Sequence, residues 1–214
     1  MRTIKTTALL ATKGPKMFLN APPDSDAIAY MYQASTEANG YVMNLTRVWA
    51  WRPDIFEMFA GLRTQLMGST SLSKRDLAVL VCAAASSVGD SYCSLAWGKK
   101  LANEASPSVA AAVLRCVMSD GLTARDHALS TWARKVSSDP NATTAEDVHE
   151  LRALGLTERE IFEATVFVAF RLAFSTVNDA LGAQPDWELV ADSPVEVDDA
   201  VNYGRPKSEP PPLY

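Results

Sequence analysis

The sequence predicts an all-α domain, and three observations carry that reading. Apolar residues recur at three- and four-residue steps in nearly every patterned segment, helix start signals are plentiful, and convincing strand patterns are lacking. With 214 residues, 48% of them hydrophobic and 21% charged, the chain is long enough and apolar enough to close one core without a second domain. Its formal net charge of -5 argues against nucleic acid or an anionic membrane surface as a partner, because both need clustered Lys and Arg.

In chain order, residues 1–24 read as an extension. The apolar run Ala8–Ala11 is too short for the core of a signal peptide, so a cytoplasmic protein is expected. The cysteines at 82, 93 and 116 form neither a CxxC pair nor an even set, which fits a reducing compartment better than a disulfide framework. His127 and His149 both lie among charged residues and read as helix surface, so neither a metal nor another cofactor is indicated. Val48–Trp51 is the one short stretch that could be extended. Ile55, Phe56, Phe59, Leu62 and Leu66, placed after Pro53 and before Gly68, make an amphipathic helix with a stop.

Three segments then share the form Leu-Ser/Thr-x-Arg-Asp/Glu: Leu72–Asp76, Leu122–Asp126 and Leu156–Glu160. Each reads as a capping box, in which a hydroxyl accepts from a first-turn amide while the carboxylate three residues on reaches back. Ser106-Pro107 and Thr143 or Thr144 mark two further starts. Leu129, Trp132, Ala133 and Val136 form one buried stripe, whereas Leu77–Ala85 and Ile161–Val177 are apolar almost all round and are expected to be a buried central pair. Cys82 falls in the first of that pair, and Cys116 follows Val109 and Val113 on a stripe, so both read as core. Residues 184–214 turn to Pro, Asp, Glu and Ser and read as an irregular arm. Its Trp187, Val195, Val197 and Val201 either lie against a partner subunit or extend freely.

Only Ser86–Trp97 invites a chemical argument. Asp90 is placed to cap a helix with Cys93 at its third position, where first-turn amides and the helix dipole favour a thiolate. The negative charge of Asp90 and burial against Trp97 oppose that effect, and the sequence leaves the sign open. Cys93 is therefore either a reactive thiol or a small apolar wall, Asp90 a cap or an acid-base group, and Trp97 packing or a substrate platform.

Six elements in order carry a family resemblance: Gly40-Tyr41-Val42-Met43-Asn44, Arg52-Pro53-Asp54, Leu72–Asp76, Gly89-x-x-Tyr92-Cys93, Leu151–Thr157 and Asn178-Asp179-x-Leu181-Gly182. Over residues 40–183 the chain resembles the peroxidase-related branch of the alkylhydroperoxidase D (AhpD)/carboxymuconolactone decarboxylase family. The resemblance implies an AhpD-like helical domain over residues 25–183 and self-association as dimers or larger assemblies, with Trp49, Trp51 and the arm as candidate contacts. It also sets Cys93 on the peroxide-attacking cysteine, Asp90 on the resolving cysteine, Trp97 on the histidine and Ala78 on the glutamate. Most of the thiol-peroxidase relay is thus missing, and Asp76, two residues away, faces elsewhere on a helix of ~3.6 residues per turn.

Two functions follow as expectations. One is a one-cysteine thiol peroxidase-like oxidoreductase in which Cys93 attacks, Asp90 and Tyr92 tune it, and an external thiol reductant restores it. The other is a non-redox pocket, either a lyase or hydrolase acting on a lactone-like acid or a binding protein. For that second function Arg171, with Trp97 and Ala78 beside it, would meet a carboxylate unless it is tied up in an ion pair with Asp76 or Glu163.

Overall fold

The computed structural model describes residues 17–210, which hold eleven α-helices and no strand. The run Ala8–Ala11 and the residues Pro211–Tyr214 lie outside them. Helix α1 (Asp26–Asn39) starts on the Ser25 hydroxyl and ends at Gly40, whose φ of +86° needs a residue without a side chain. Helix α2 (Asn44–Trp49) follows, then α3 (Pro53–Ser69), α4 (Lys74–Ser87), α5 (Ser91–Glu104), α6 (Pro107–Arg115) and α7 (Ala124–Ser138). The chain continues through α8 (Ala145–Ala153), α9 (Glu158–Ala180), α10 (Trp187–Ala191) and α11 (Val195–Ala200). None of these helices is long and apolar enough to cross a membrane.

The start signals act as expected. Ser73/Asp76, Thr123/Asp126, Thr144/Asp147 and Thr157/Glu160 all close reciprocal capping boxes, with Thr144 rather than Thr143 at the start of α8. The shared Arg-Asp pair of the first two boxes does more than cap. Arg75 Nη2 lies 2.6 Å from Asp126 Oδ2, and Arg125 Nε lies 3.0 Å from Asp76 Oδ1, so each box lends its arginine to the other's carboxylate. This exchange draws the starts of α4 and α7 together: the two aspartates complement the positive helix ends, and the two arginines balance the buried aspartates.

Helix α4 is buried from Leu77 to Ala85, against α5, α7 and α9. Its alanines keep the neighbouring axes close, and each buried Leu or Val contributes about 2 kcal/mol. Helix α9 is buried along one face, through Ile161, Ala164, Phe167 and Val168, while Phe162 on the other is 69% exposed. Farther along α9, Phe170 and Phe174 meet α3, which leans on them without burying any residue fully.

Four expectations need correction. Val48–Trp51 is not extended: α2 is helical and leads into a turn, and Trp49 is only 6% exposed. Its ring stacks on Phe174 at 5.1 Å and its Nε1 donates to Asn178 Oδ1 at 2.8 Å, so it is spent inside the chain and offers no contact to a second subunit. Trp51 does stay exposed. Cys116 is not core. It takes a left-handed position, φ +56°, that closes α6, and there it faces solvent, off the Val109/Val113 stripe.

The arm, finally, is neither irregular throughout nor free. It forms α10 and α11, and Val197, Ala200 and Val201 share one face buried against α5 and α6 of the same chain, while Val195 stays exposed. Gly98 on α5 makes the hole that Val197 fills, since a β-carbon there would stand 2.6 Å from the valine. Farther on, Gly204 with φ +75° passes so close to the Gly89 carbonyl that no side chain fits, and Ser91 Oγ donates to the Arg205 carbonyl at 2.8 Å. The arm thereby straps the first turn of α5.

Candidate functional site

The turn at Gly89, φ +74°, aims the chain into α5, and Asp90 caps it by accepting from the Cys93 amide at 2.9 Å. Cys93 is therefore the third residue of the helix, as expected. Both side chains are buried, Asp90 completely, and Asp90 Oδ2 has no hydrogen-bond partner in the protein. Two groups from α9 reach the sulfur: Arg171 Nη2 at 2.9 Å and Ser175 Oγ at 3.6 Å. Their four-residue spacing puts both on one helix face.

The sign that the sequence left open is now set. Burial pushes the Cys93 thiol up to about 12; the Arg171 charge pulls it back, Asp90 adds to the rise by charge and by hydrogen bond, and the Ser175 hydroxyl opposes it. The resting sulfur is a protonated thiol facing a guanidinium.

Arg171 also forms the inner wall of a cleft between α3 and α9, with Phe56, Phe59, Phe170, Phe174 and Arg63 around it and an empty volume of about 410 Å³ out to the solvent at its mouth. Its guanidinium carbon lies 5.4 Å from the centre of the Trp97 ring and 5.2 Å from that of Phe174, it is 9% exposed, and its Nε has no partner. Lys100 joins it over Trp97, with Nζ 4.1 Å from the ring. Partial burial, then Arg171 and Arg63, hold Lys100 below the usual lysine range. Among the described residues the ion pairs use other cations, so Arg63, Lys100 and Arg171 face no carboxylate. A buried cation costs several kcal/mol in lost hydration, and a ring contact offsets about 2 kcal/mol of it at best. Among the described residues none of these three cations forms an ion pair, and the one carboxylate of the site, Asp90, is bonded to the Cys93 amide instead.

The expected site residues divide. Cys93, Asp90, Trp97 and Arg171 come together. Tyr92 does not join them: one residue is about 100° around a helix, and its hydroxyl instead donates to Asp186. Ala78 is fully buried and does not line the cleft; nor do Trp97 and Cys93, which lie behind Arg171, the one expected residue that does. Arg171 is not paired with Asp76 or Glu163, which are held by Arg125 and Arg159.

Arg63, Lys100 and Ser175 escaped the sequence reading, though signals for them exist. Arg63 continues the stripe Phe56, Phe59, Ala60; Lys100 follows Trp97 by one turn; Ser175 follows Arg171 by one turn. Among the described residues no group of three or more His, Cys, Asp and Glu is placed to hold a metal ion.

No protein-family model matches the chain, and no curated relative does. Solved structures do. An uncharacterized peroxidase-related protein from Ralstonia eutropha JMP134, described as an alkylhydroperoxidase AhpD core, is 25% identical with a TM-score of 0.73 over 82% of this chain and 95% of its own. An uncharacterized peroxidase-related protein from Silicibacter sp. TM1040 is 22% identical, TM-score 0.72, over the same shares. A cysteine-to-alanine variant of the debrominase Bmp8, in complex with 2,3,4-tribromopyrrole, is 16% identical with a TM-score of 0.68 over 85% of this chain and 97% of its own. In fold, then, this is an AhpD-like all-α domain, and the solved structures it is similar to include two described as peroxidase-related.

Proposed function

We propose that the chain is a one-cysteine, peroxidase-like thiol oxidoreductase. The observation that carries this reading is the guanidinium of Arg171, 2.9 Å from the Cys93 sulfur and without a carboxylate of its own. In the proposed reaction the thiol proton passes to Asp90, whose unpartnered Oδ2 is free to take it, while Arg171 steadies the forming thiolate. The sulfur attacks the outer oxygen of a hydroperoxide, the O–O bond breaks, and the departing alkoxide takes the proton from Asp90. The products are an alcohol and a Cys93 sulfenic acid. One external thiol then gives a mixed disulfide and water, and a second releases the Cys93 thiol and an external disulfide.

The test is peroxide consumption with an excess of a small dithiol. Wild type consumes peroxide and yields a trappable sulfenic acid, and Cys93→Ser does neither. A wild-type protein that never forms sulfenic acid ends the proposal.

A second reading, a non-redox pocket for a small acid, draws on the raised thiol and the uncompensated cations. The debrominase of the same fold is seen with 2,3,4-tribromopyrrole, a small flat ring, which supports a cleft of this kind holding something other than a peroxide. Under that reading Cys93→Ser keeps any activity or binding the wild type has.

A further inference from the structure

The geometry points to the substrate class: a small, flat, apolar anion, of the aryl carboxylate kind, whose head is held by Arg171, Arg63 and Lys100 and whose body lies among the phenylalanines of α3 and α9. The inference rests on the cleft being the entrance to the site proposed above, and it names what enters.

Three observations converge on it. First, among the described residues the three cations enter no ion pair although the chain as a whole carries a formal charge of -5, so they gather positive charge locally. Secondly, Arg171 is nine-tenths buried at the back of the cleft, with Nε unpartnered and Nη2 on a protonated sulfur, so a fork of donors is in place with only a weak acceptor on it. Thirdly, the walls are ring faces. Phe59 with Phe170 (centroids 5.2 Å, 53°) and Phe56 with Phe174 (6.4 Å) pack as touching pairs, and all four rings line the cleft, so a flat ring meets aromatic surface there.

The cleft is narrow, and α3 buries no residue fully, so opening it moves half-buried side chains and leaves the packed core alone. Arg63 and Lys100 are both exposed and can swing onto an anion at the mouth. A neutral hydroperoxide uses the ring walls and leaves the cations as they are; an acid uses both.

The probe set is benzoate, benzenesulfonate, benzamide and benzylamine at constant ionic strength, read by calorimetry and by the shift in unfolding midpoint. Benzoate and benzenesulfonate are expected to bind and raise the midpoint, benzamide to do so far less, and benzylamine not at all. Arg171→Ala risks the fold, so the rim variants decide. Arg63→Ala and Lys100→Ala should each weaken benzoate about tenfold, the scale of one charge-assisted hydrogen bond, while Arg63→Lys retains most of the affinity. A midpoint that benzoate does not move, equal binding of benzamide and benzoate, or rim variants that bind like wild type would each overturn the inference. Cys93→Ser separates the two claims. Anion binding kept in that variant without peroxide consumption by wild type removes only the thiol reaction, and peroxide consumption without an anion preference removes only the substrate class.

Discussion

Two pairs of arginines in this chain are treated in opposite ways. Where α4 and α7 begin, Arg75 and Arg125 each hold a buried carboxylate, and the carboxylates are also bonded to the backbone of their own caps. Between α3 and α9, Arg171 and Arg63 hold none. Burial therefore does not decide the role of a guanidinium; the presence of a fixed anion does. The first pair is fastening, each guanidinium bound twice to a fixed carboxylate. The second is left with donors to spare beside the one thiol that the helix dipole addresses.

The largest expected effect probes whether Cys93 is Arg171's missing anion. With the thiol pushed up to about 12, chiefly by burial, alkylation in a Cys116→Ser background should quicken about tenfold per pH unit, about 1,000-fold from pH 7 to pH 10. A rate that levels off below pH 9 would mean that Arg171 already holds a thiolate, and the contrast between the two ends would collapse. Next, Asp126→Ala strands Arg75 and opens the Thr123 cap, and should cost about 3 kcal/mol in urea unfolding. A loss under 1 kcal/mol would make the fastening incidental.

Acid distinguishes the buried carboxylates further. Asp186 is raised to about 6 by burial, against the pull of the Tyr92 hydroxyl and the Asn44 amide. Its folded value exceeds its unfolded one, so the folded state gains protons first and stability rises as pH falls from about 6 towards 4. Relative to Asp186→Asn, the wild type should gain on the order of 3 kcal/mol over that window. Asp126 is the reverse. Burial pushes it up, but its hydrogen bonds to Arg75 and Thr123 prevail and hold it below the usual range, so its contribution is present above about pH 4 and lost below. The smallest effect sharpens the contrast: Arg63→Ala should change stability by less than about 0.5 kcal/mol, since no carboxylate depends on it.

What the sequence discloses follows the range of the interaction. Caps are contacts over three residues, so Ser73, Thr123, Thr157 and the Asp90–Cys93 relation can be read directly. The crossing of Arg75 and Arg125 between boxes spans some fifty positions, and although the repeated Leu-x-x-Arg-Asp hints at it, the pairing needs the tertiary fold. Cys116 was misplaced because a stripe tells where a helix faces and not where it stops. In the arm, Val197 and Val201 stand out as apolar, but that they turn, with Ala200, onto α5 and α6 of their own chain is a tertiary contact that its Pro and acidic content gives no sign of. Of the site, Cys93, Asp90 and Arg171 were legible as residue types in suggestive settings. The cleft was not, since it arises from how loosely α3 rests on α9.

Val197 in the Gly98 hole and Gly204 against Gly89 mean that the thiol helix is fixed by residues made long after it. At ordinary elongation rates the ribosome delivers Val197 roughly 5–20 s after Cys93. Through that interval α5 has an empty notch on one side and a loose first turn, so the nascent domain carries its sulfur before it has the latch that seats it. Any alteration of the final helix would be felt in the cell as incomplete maturation of the thiol helix, far from where the change was made.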